Sequence, residues 1–580
     1  MDVPTLLIVL ASYLAIYFPE QLDPNLKPRD SSHLLESGQN LQFDFIIVGA
    51  GSAGCPVANR LSANPNWKVL LIEAGGDETY QSDTPALSGT LFGTKYHYNY
   101  TTTKQKHCCL NKGGHCSCDR GRVMGGTSTI NGMMYVRGSA EGYNNWKEMG
   151  NPGWDYENVL RYFLKMENMT IPSLMGDTKY HNDKGPVTIG YPKYTFPIND
   201  DYIRAGIEYG LNEVDYNGKS QIGIGKMQYN ARDSTRCSSS KAYLDPIIDR
   251  KNLYIFKNTL VTQIRFNEET RTATGVNLIH NGAKYTVNAN KEVIISAGAI
   301  DTPKLLMLSG VGPKEHLQQL GISSVVDLPV GKYLADHPGL VLFYKMNTTM
   351  MNCCGELTND TILEYARDRS GGLTAEPWEV QAYFKANGLP NEPLVGMGLG
   401  VTKRINNTEK MGPRAQILIN IMNPKSVGEL KLKSADYRVD PDINPNYLSE
   451  ESDLIALKWA IREAFKLMKT PSMLKYKPKL LVNNVRRCLK YYSPLHITDQ
   501  FLECYIRYAG TASFHPVGTA RMGTNPANSV VDAKLKVHNV KNLRVIDASV
   551  MPEISRGNTN APCIMIGEKG ADIIINSYAQ

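Results

Sequence analysis

The sequence predicts an α/β protein in which a Rossmann-like domain is interleaved with a second domain of α+β type. Two stretches with the order strand, glycine-containing turn and helix carry this prediction, one at 43–73 and one at 291–312. Between them the chain changes to a less regular mixture of aromatic, proline and polar residues. Because 580 residues exceed the size at which one hydrophobic core stops growing, two threaded domains are expected.

The composition is that of an ordinary folded protein. Hydrophobic residues make up 42% and charged residues 21% of the chain, and the net charge of +7 is small for this length. No run of five or more lysines and arginines occurs, so the charge pattern gives no reason to expect a nucleic-acid partner. Chemistry on a small molecule is the better expectation, and the oligomeric state is left open.

Residues 1–20 predict a secretory signal peptide. From Val3 to Pro19 the chain has no charged residue, and its apolar centre, TLLIVLASYLAIYF, is short for a membrane span. No Lys or Arg precedes this centre and no small-residue cleavage site stands out, so an uncleaved anchor is the alternative. We expect a secreted, extracellular protein without stable membrane insertion.

Sequons and cysteines also favour an extracellular glycoprotein with disulfides. The cysteine clusters are Cys108, Cys109, Cys116 and Cys118, followed by Cys353 and Cys354. Their spacing is not that of a zinc ribbon or finger, so disulfides are expected and no metal. Since the 11 cysteines are an odd number, at least one thiol is free, and Cys55 or Cys563 is the candidate. The Asn-x-Ser/Thr sequons are at Asn99, Asn168, Asn347, Asn359 and Asn406.

The first unit of the nucleotide-binding domain is FDFIIVGAGSAGCPVANRLSANPNWKVLLIEAGG. Its unbroken apolar run, FIIVGA, is typical of a buried parallel strand. Gly49, Gly51 and Gly54, with Ser52 between them, supply a tight turn and a close backbone approach to a pyrophosphate at a helix N-terminus. Glu73 ends the second strand, where it can accept hydrogen bonds from an adenosine ribose. This unit predicts a dinucleotide, with NAD and FAD both open.

A second ligand-facing stretch follows at 120–138, RGRVMGGTSTINGMMYVRG. Its Gly, Ser, Thr and Asn residues make backbone amides available to a polar ligand, and its interleaved Met and Ile residues favour a half-buried loop over a surface loop. Gly125, Gly126, Thr127 and Asn131 are the candidate contacts.

The remaining segments divide the chain between the two domains. Residues 252–267 and 272–279 predict antiparallel strands, whereas 452–468 and 561–579 predict amphipathic helices. The predicted nucleotide-binding segments are 42–150, 251–340 and 511–580, and the predicted segments of the second domain are 151–250 and 341–510.

Several long motifs in a fixed order resemble one family. Beside the glycine fingerprint, they are GRVMGGTSTIN at 121–131, GAIDTPKLLMLSGVG at 298–312, VGKYLADHP at 330–338, HPVGTARMG at 515–523 and DASVMPEISRGNTNAP at 547–562. From about residue 42 to its end the chain resembles the glucose-methanol-choline (GMC) flavoprotein oxidoreductases, particularly their secreted insect members. One departure is Val427 in PKSVGEL, where the family usually has Arg.

The resemblance implies FAD as cofactor and a substrate domain built on an antiparallel sheet with helices. The family attaches FAD covalently in some members through a histidine at a position that Ile130 occupies here, so the flavin is expected to be non-covalent. The implied FAD contacts are the pyrophosphate at Gly49, Gly51, Ser52 and Gly54, the ribose at Glu73, the flavin near Gly125, Gly126, Thr127 and Asn131, the adenine at Val261, and the flavin phosphate and ring side at Asp547 and Ala548.

The same resemblance places His515 and Asn558 at the flavin. A neutral imidazole is suited to removing the proton of an alcohol hydroxyl, and an amide can hold the hydroxyl oxygen but cannot take the proton. The expected reaction is oxidation of an alcohol to an aldehyde or ketone by hydride transfer to flavin N5, with reoxidation by oxygen or a quinone. His181, His337 and His538 are expected to be structural.

Two rival functions stay open at this level. A hydroxynitrile lyase on the same scaffold would bind FAD without transferring a hydride, and a catalytically silent secreted protein would bind flavin only. A serine hydrolase is not supported, because the Ser-rich segment RCSSSKAYL contains no G-x-S-x-G motif.

Overall fold

The computed structural model describes residues 2–347, 358–376, 378–392, 394–402, 414–493 and 497–579. Cys353, Cys354 and Asn406 lie outside these residues. The α-helices of the described residues are α1 (Val3–Tyr17), α2 (Gly54–Leu61), α3 (Tyr80–Asp83), α4 (Ala140–Glu148), α5 (Tyr156–Met166), α6 (Ile198–Tyr209), α7 (Ser239–Tyr243), α8 (Gly298–Leu308), α9 (Lys314–Gln319), α10 (Asn359–Asp368), α11 (Glu451–Leu467), α12 (Pro471–Leu474), α13 (Asp499–Ala509) and α14 (Asn560–Tyr578).

The strands belong to two large sheets and several short pairs. They are β1 (Gln42–Val48), β2 (Val69–Ile72), β3 (His97–Tyr98), β4 (Arg120–Gly121), β5 (Glu167–Met169), β6 (Val187–Gly190), β7 (Gly223–Lys226), β8 (Tyr229–Arg232), β9 (Thr235–Arg236), β10 (Leu253–Phe256), β11 (Thr259–Asn267), β12 (Thr272–His280), β13 (Ala283–Ile295), β14 (Val311–Gly312), β15 (Val326–Asp327), β16 (Pro338–Lys345), β17 (Trp378–Lys385), β18 (Leu394–Thr402), β19 (Arg414–Ile421), β20 (Glu429–Lys431), β21 (Asp442–Asn444), β22 (Lys479–Leu480), β23 (Thr511–Ala512) and β24 (Leu543–Val545).

The first large sheet has the order β10-β2-β1-β13-β12-β11, with β24 beside β13. Strands β10, β2, β1, β13 and β24 run parallel, which confirms the buried parallel strand predicted from FIIVGA. Strands β11 and β12 form the predicted antiparallel pair. One expectation for 252–267 is wrong: β10, at its start, pairs parallel with β2, because it extends the parallel sheet at its edge.

The second large sheet is antiparallel and has the order β22-β16-β19-β18-β17-β7, with β23 beside β16. Its strands come from 223–226, 338–421 and 479–512, whereas those of the first sheet come from 42–72, 253–295 and 543–545. The two domains are therefore interleaved along the chain, as predicted. The exact bounds of each domain segment stay predictions.

The predicted helices form where the sequence places them. Helix α11 has Glu451 and Asp453 in its first turn and Lys466 in its last turn, which suits the helix dipole at both ends. Its apolar side packs into the core of the second sheet. Helix α14 lies against α2 and α5 and is buried along most of its length.

The apolar N-terminal segment forms α1. The Asp2 side chain caps the helix by accepting a hydrogen bond from the Thr5 amide at 2.9 Å. The fully buried Leu6, Leu10 and Leu14 share a hydrophobic cluster with residues of α10. In the part of the chain that the structure describes, no helix is both long enough and apolar enough to cross a membrane. The assignment of residues 1–20 as a signal peptide stays a prediction.

Two disulfides join cysteines within the described residues, Cys109 to Cys116 and Cys488 to Cys504. The sulfurs of Cys108, Cys109 and Cys116 lie within 4.8 Å of one another, but the disulfide uses two of the three thiols that a metal would need. The predicted free thiols Cys55 and Cys563 are unpaired and buried, as are Cys108, Cys118 and Cys237. Burial raises the pKa of the Cys563 thiol to about 12, so this thiol is inert.

Candidate active site

A cavity of about 820 Å³ extends from the glycine turn of the first sheet to the face of the second sheet. The predicted contacts Gly54 and Gly125 are not among the residues that line it. The sequence-predicted residues that line it are Gly49, Gly51, Ser52, Glu73, Gly126, Thr127, Asn131, Val261, His515, Asp547, Ala548 and Asn558. The structure thus brings together residues that are up to about 500 positions apart in the sequence.

The turn between β1 and α2 accepts only glycine at two positions. Gly49 has φ +103°, and a Cβ there would lie 2.4 Å from the Ser296 carbonyl oxygen. A Cβ on Gly54 would lie 1.9 Å from the Gly49 carbonyl oxygen, so α2 packs directly against the turn. At Gly51 a Cβ would meet no atom within 4 Å, because this residue faces the open cavity. The N-terminus of α2 is therefore accessible to a phosphate.

Glu73 lies at the end of β2 on the cavity wall. One carboxylate oxygen accepts from the Ala50 amide at 3.0 Å and the other from the Gly75 amide at 2.9 Å. Burial raises the pKa of this carboxyl to about 7, and the two backbone donors oppose the rise. Both oxygens keep lone pairs that can accept from ribose hydroxyls, so the residue fits its predicted role.

The second glycine-rich loop closes over the first. A Cβ on Gly126 would lie 2.8 Å from the Gly51 Cα, so the two backbones approach closely and Gly126 has no room for a side chain. The Asn131 side-chain oxygen accepts from the Met133 amide at 2.9 Å and from the Arg236 guanidinium at 2.8 Å, which fixes its orientation. Ile130 also lines the cavity and has no atom that can bond covalently to a flavin.

Asp547 lines the cavity and also stabilises the start of α8. Its carboxylate accepts from the Gly298 amide at 2.8 Å and from the Thr302 hydroxyl at 2.6 Å, and so holds the first turn of α8. Its neighbour Ala548 and the strand residue Val261 also line the cavity. These features fit non-covalent FAD: two turns with bare glycine backbones, a carboxylate at the end of β2, and an Ile130 that has no nucleophilic atom.

His515 enters the cavity from an uncommon backbone turn. The preceding Phe514 has φ +62°, a left-handed conformation that is rare for a bulky residue and is characteristic of functional sites. The His515 Nε2 atom lies 3.3 Å from the Asn558 side-chain nitrogen. Asn558 is also 3.5 Å from the Met134 sulfur. The two predicted catalytic residues are thus in contact, although 43 residues separate them.

His337 determines which nitrogen of His515 carries the proton. Its Nε2 faces the Ser555 carbonyl at 3.1 Å, and since a carbonyl only accepts, this nitrogen carries hydrogen. Burial lowers the pKa of His337 to about 4, so the ring is neutral and its Nδ1 is an acceptor. The His515 Nδ1 lies 3.0 Å from that acceptor and therefore donates to it. The lone pair of His515 is therefore on Nε2, where it accepts from the Asn558 side-chain amide at 3.3 Å.

Asp336 holds both histidines by their backbones. One of its oxygens accepts from the amides of His337 and His515, each at 2.8 Å, and the other accepts from the Tyr447 hydroxyl at 2.5 Å. The sequence motif VGKYLADHP contains both Asp336 and His337. Nothing in the motif indicates that these residues contact His515, which is 178 positions after His337. Their contact with the site was missed for this reason.

Arg120 is a further charged residue that the sequence analysis did not single out. It lines the cavity, and its guanidinium donates to the Phe514 carbonyl at 2.7 Å, beside His515. Burial, followed by the proximity of His337 and of the Arg120 guanidinium, holds the pKa of His515 well below its usual value of 6.5. His515 is therefore a neutral base at neutral pH.

Replacing His337 with Phe is expected to slow reduction of the bound flavin by about tenfold or more, equivalent to about 1.4 kcal/mol. Phe keeps the ring volume but removes the acceptor that fixes the proton on Nδ1 of His515. His337→Gln should restore part of the rate, because its amide oxygen can accept the same hydrogen bond. The measurement is anaerobic stopped-flow reduction as a function of pH. Equal rates and pH profiles for the Phe and Gln variants would show that His337 only fills space.

His181 and His538 make structural contacts, as predicted. His181 bridges Glu167 at 2.7 Å and Asp215 at 2.8 Å, and these partners raise its pKa to about 9 against the effect of burial. The His538 ring bonds the Gly523 carbonyl at 3.1 Å, and it does not line the cavity.

Comparison with known proteins agrees with this geometry. The family models described as GMC oxidoreductase match residues 43–339 and 424–567. The glucose dehydrogenase [FAD, quinone] of Drosophila melanogaster is 35% identical over 97% of this chain and 92% of its own length. The ecdysone oxidase of Bombyx mori is 34% identical over 95% of this chain and 84% of its own length.

Solved structures share the same architecture. A formate oxidase superposes with a TM-score of 0.84 at 26% identity, covering 93% of this chain and 99% of its own. Pyridoxine 4-oxidase from Mesorbium loti superposes with a TM-score of 0.79 at 27% identity and the same coverage.

Proposed function

The chain belongs to the GMC oxidoreductase family and is an FAD-dependent oxidoreductase that acts on the CH–OH group of its donor, and we propose that it oxidises an alcohol to an aldehyde or ketone with His515 as the base. The observation that carries the proposal is the hydrogen-bond chain from the Ser555 carbonyl through His337 to His515. It leaves an unprotonated Nε2 facing the cavity, beside Asn558.

The two residues act on the substrate hydroxyl in different ways. His515 Nε2 accepts the hydroxyl proton, because its lowered pKa keeps it neutral and its Nδ1 is already engaged. Asn558 donates from its amide to the hydroxyl oxygen, which orients the carbinol carbon. FAD, when bound, supplies the hydride acceptor.

The residues around the cofactor site hold and shield it. Gly49 and Gly51 would let the pyrophosphate of FAD approach the N-terminus of α2, and Glu73 would accept hydrogen bonds from the ribose. Gly126, Thr127 and Asn131 of the second loop line the same cavity and would lie beside the flavin ring system when FAD is bound. Oxygen and a quinone are both candidate acceptors, and the relative from Drosophila melanogaster is named for FAD and quinone.

Anaerobic mixing of the FAD-loaded protein with a panel of alcohols tests the proposal. We expect an active alcohol to bleach the oxidised flavin absorbance without any added acceptor, and admission of oxygen or of a quinone dye then identifies the acceptor. A flavin that stays oxidised under every alcohol while mandelonitrile releases cyanide would replace the proposal with a hydroxynitrile lyase. No bleaching and no cyanide would leave a flavin-binding protein.

We propose secretion as the location of this activity. The support is the uncharged segment at the N-terminus and the exposure of Asn99 and Asn359, two of the sequons. N-terminal sequencing of protein recovered from the medium, with and without endoglycosidase treatment, tests this. Intact α1 on a protein that is found only inside the cell would contradict the proposal.

A further inference from the structure

The substrate end of the cavity is built on one face of the second sheet. Alternate residues of β19, Asn420, Leu418 and Gln416, line the cavity, as period-two side-chain alternation requires. Their neighbours on β16 are Gly339, Val341 and Phe343, in the same order. Their neighbours on β18 are glycines, Gly396, Gly398 and Gly400. This face therefore has three rows of residues that run across β16, β19 and β18. Successive rows are two residues apart along each strand.

The row of Asn420 lies at the catalytic end. Gly339, its partner on β16, also pairs with Thr511 of β23, four residues before His515. The Asn420 side-chain oxygen accepts from the Ser513 hydroxyl at 2.7 Å, and Ser513 is two residues before His515. Asn420 is thus tied to the segment that carries the catalytic histidine.

The middle row is apolar. Leu418 stands beside Val341 on one side and Gly398 on the other, and both Leu418 and Val341 line the cavity. A Cβ on Gly398 would be 3.4 Å from the Gln381 side-chain oxygen, 3.6 Å from the Trp378 ring and 3.9 Å from Leu418. The Gln381 amide already donates to the Ala382 carbonyl at 3.0 Å, and Gln381 does not line the cavity. A substrate that extends over this row therefore meets mainly the hydrocarbon of Leu418 and Val341 and the Trp378 ring.

The far row presents one amide. Gln416 lies four residues along β19 from Asn420, a separation of about 13 Å at the rise of a strand. Its side chain is 8% exposed and has no hydrogen-bond partner among the described residues. By contrast, the cavity-lining Asn420 and Glu376 accept hydrogen bonds from Ser513 and Ser88. A buried amide that faces a cavity without a protein partner is suited to a ligand.

The geometry points to an elongated, largely apolar alcohol with a second hydrogen-bonding group on the order of 10 Å from the oxidised carbon, and to Gln416 as the residue that recognises this group. The inference rests on the proposed alcohol oxidation. It adds what the substrate looks like beyond its carbinol. A compact polyol does not match the apolar middle row, and a plain long-chain alcohol leaves the Gln416 amide without a partner.

The binding of linear alcohols and their terminal diols, measured without oxygen in a variant that reduces its flavin slowly, tests this inference. FAD-loaded His515→Ala protein is titrated calorimetrically with butanol, octanol and decanol and with butanediol, octanediol and decanediol. We expect the diol of the longer pairs to bind about three- to tenfold more tightly than the matching alcohol, the value of one neutral hydrogen bond. The butyl pair should show no such preference, because its second hydroxyl does not reach Gln416.

Gln416→Met in the same background removes the amide and keeps the side-chain length, and it should abolish the preference for the longer diols. The matched control is Gln318→Met on the exposed surface of α9, which should retain it. A preference unchanged by Gln416→Met, or absent from the starting protein, overturns the inference. Should the long diols bind preferentially while wild-type flavin stays oxidised, the proposed oxidation fails and the recognition by Gln416 stands.

Discussion

Replacing His515 with Ala slows anaerobic reduction of the bound flavin by about 10² to 10⁴, the range that general base catalysis supplies. The variant lacks the Nε2 lone pair that faces the cavity beside Asn558, while the glycine turn and Glu73 are untouched. The measurement is stopped-flow bleaching of the flavin with an alcohol that reduces the wild type.

The control for this variant is His33→Ala, which removes an exposed histidine that does not line the cavity and should leave the rate unchanged. Both proteins should retain FAD and its visible spectrum, since neither residue contacts the glycine turn. Wild-type reduction by the His515 variant would mean that the proton leaves by another route.

The pH dependence of the same rate follows from the environment of His515. Its pKa lies well below 6.5, mainly through burial, and the base is active when neutral. The rate is therefore expected to stay level from about pH 8 down to pH 6.5 and to fall only at lower pH, where the ring takes up a proton. An inflection at or above pH 6.5 in the wild type would contradict this assignment.

Gly54→Ala is expected to weaken FAD binding by about tenfold to hundredfold. The new Cβ would lie 1.9 Å from the Gly49 carbonyl oxygen, so α2 must move away from the turn that receives the pyrophosphate. The free protein relieves the clash by this movement, and FAD binding has to reverse it at a cost of about 1–3 kcal/mol. Titration of flavin-free protein with FAD measures the change in Kd.

Gly176→Ala serves as the matched control for this substitution. A Cβ at Gly176 meets no atom within 4 Å, so the control should bind FAD as the wild type does. Equal affinities for the two variants would show that close packing of α2 on the turn is not needed to bind the cofactor.

Much of the architecture was predictable because it depends on local patterns. The run FIIVGA with its glycine turn predicts β1 and α2, and the segment 291–312 predicts the end of β13 and α8. The amphipathic periods of α11 and α14 are equally local. By contrast, the parallel pairing of β10 was predicted wrongly, because strand direction depends on a partner, β2, that lies about 180 residues earlier.

The candidate active site likewise has residues that local sequence patterns identify and contacts that only the fold creates. The sequence determined the candidate residues because each belongs to a contiguous motif. Glu73 and the glycines of the turn follow from the local dinucleotide-binding pattern, and His515 and Asn558 follow from the resemblance to a known family. Only the tertiary structure decided that His337 sets the tautomer of His515 and that Gln416 is a polar residue at the far row of the substrate cavity. The physical reason is that a hydrogen bond or a cavity wall joins residues that are distant in the chain, and a local pattern carries no information about such partners.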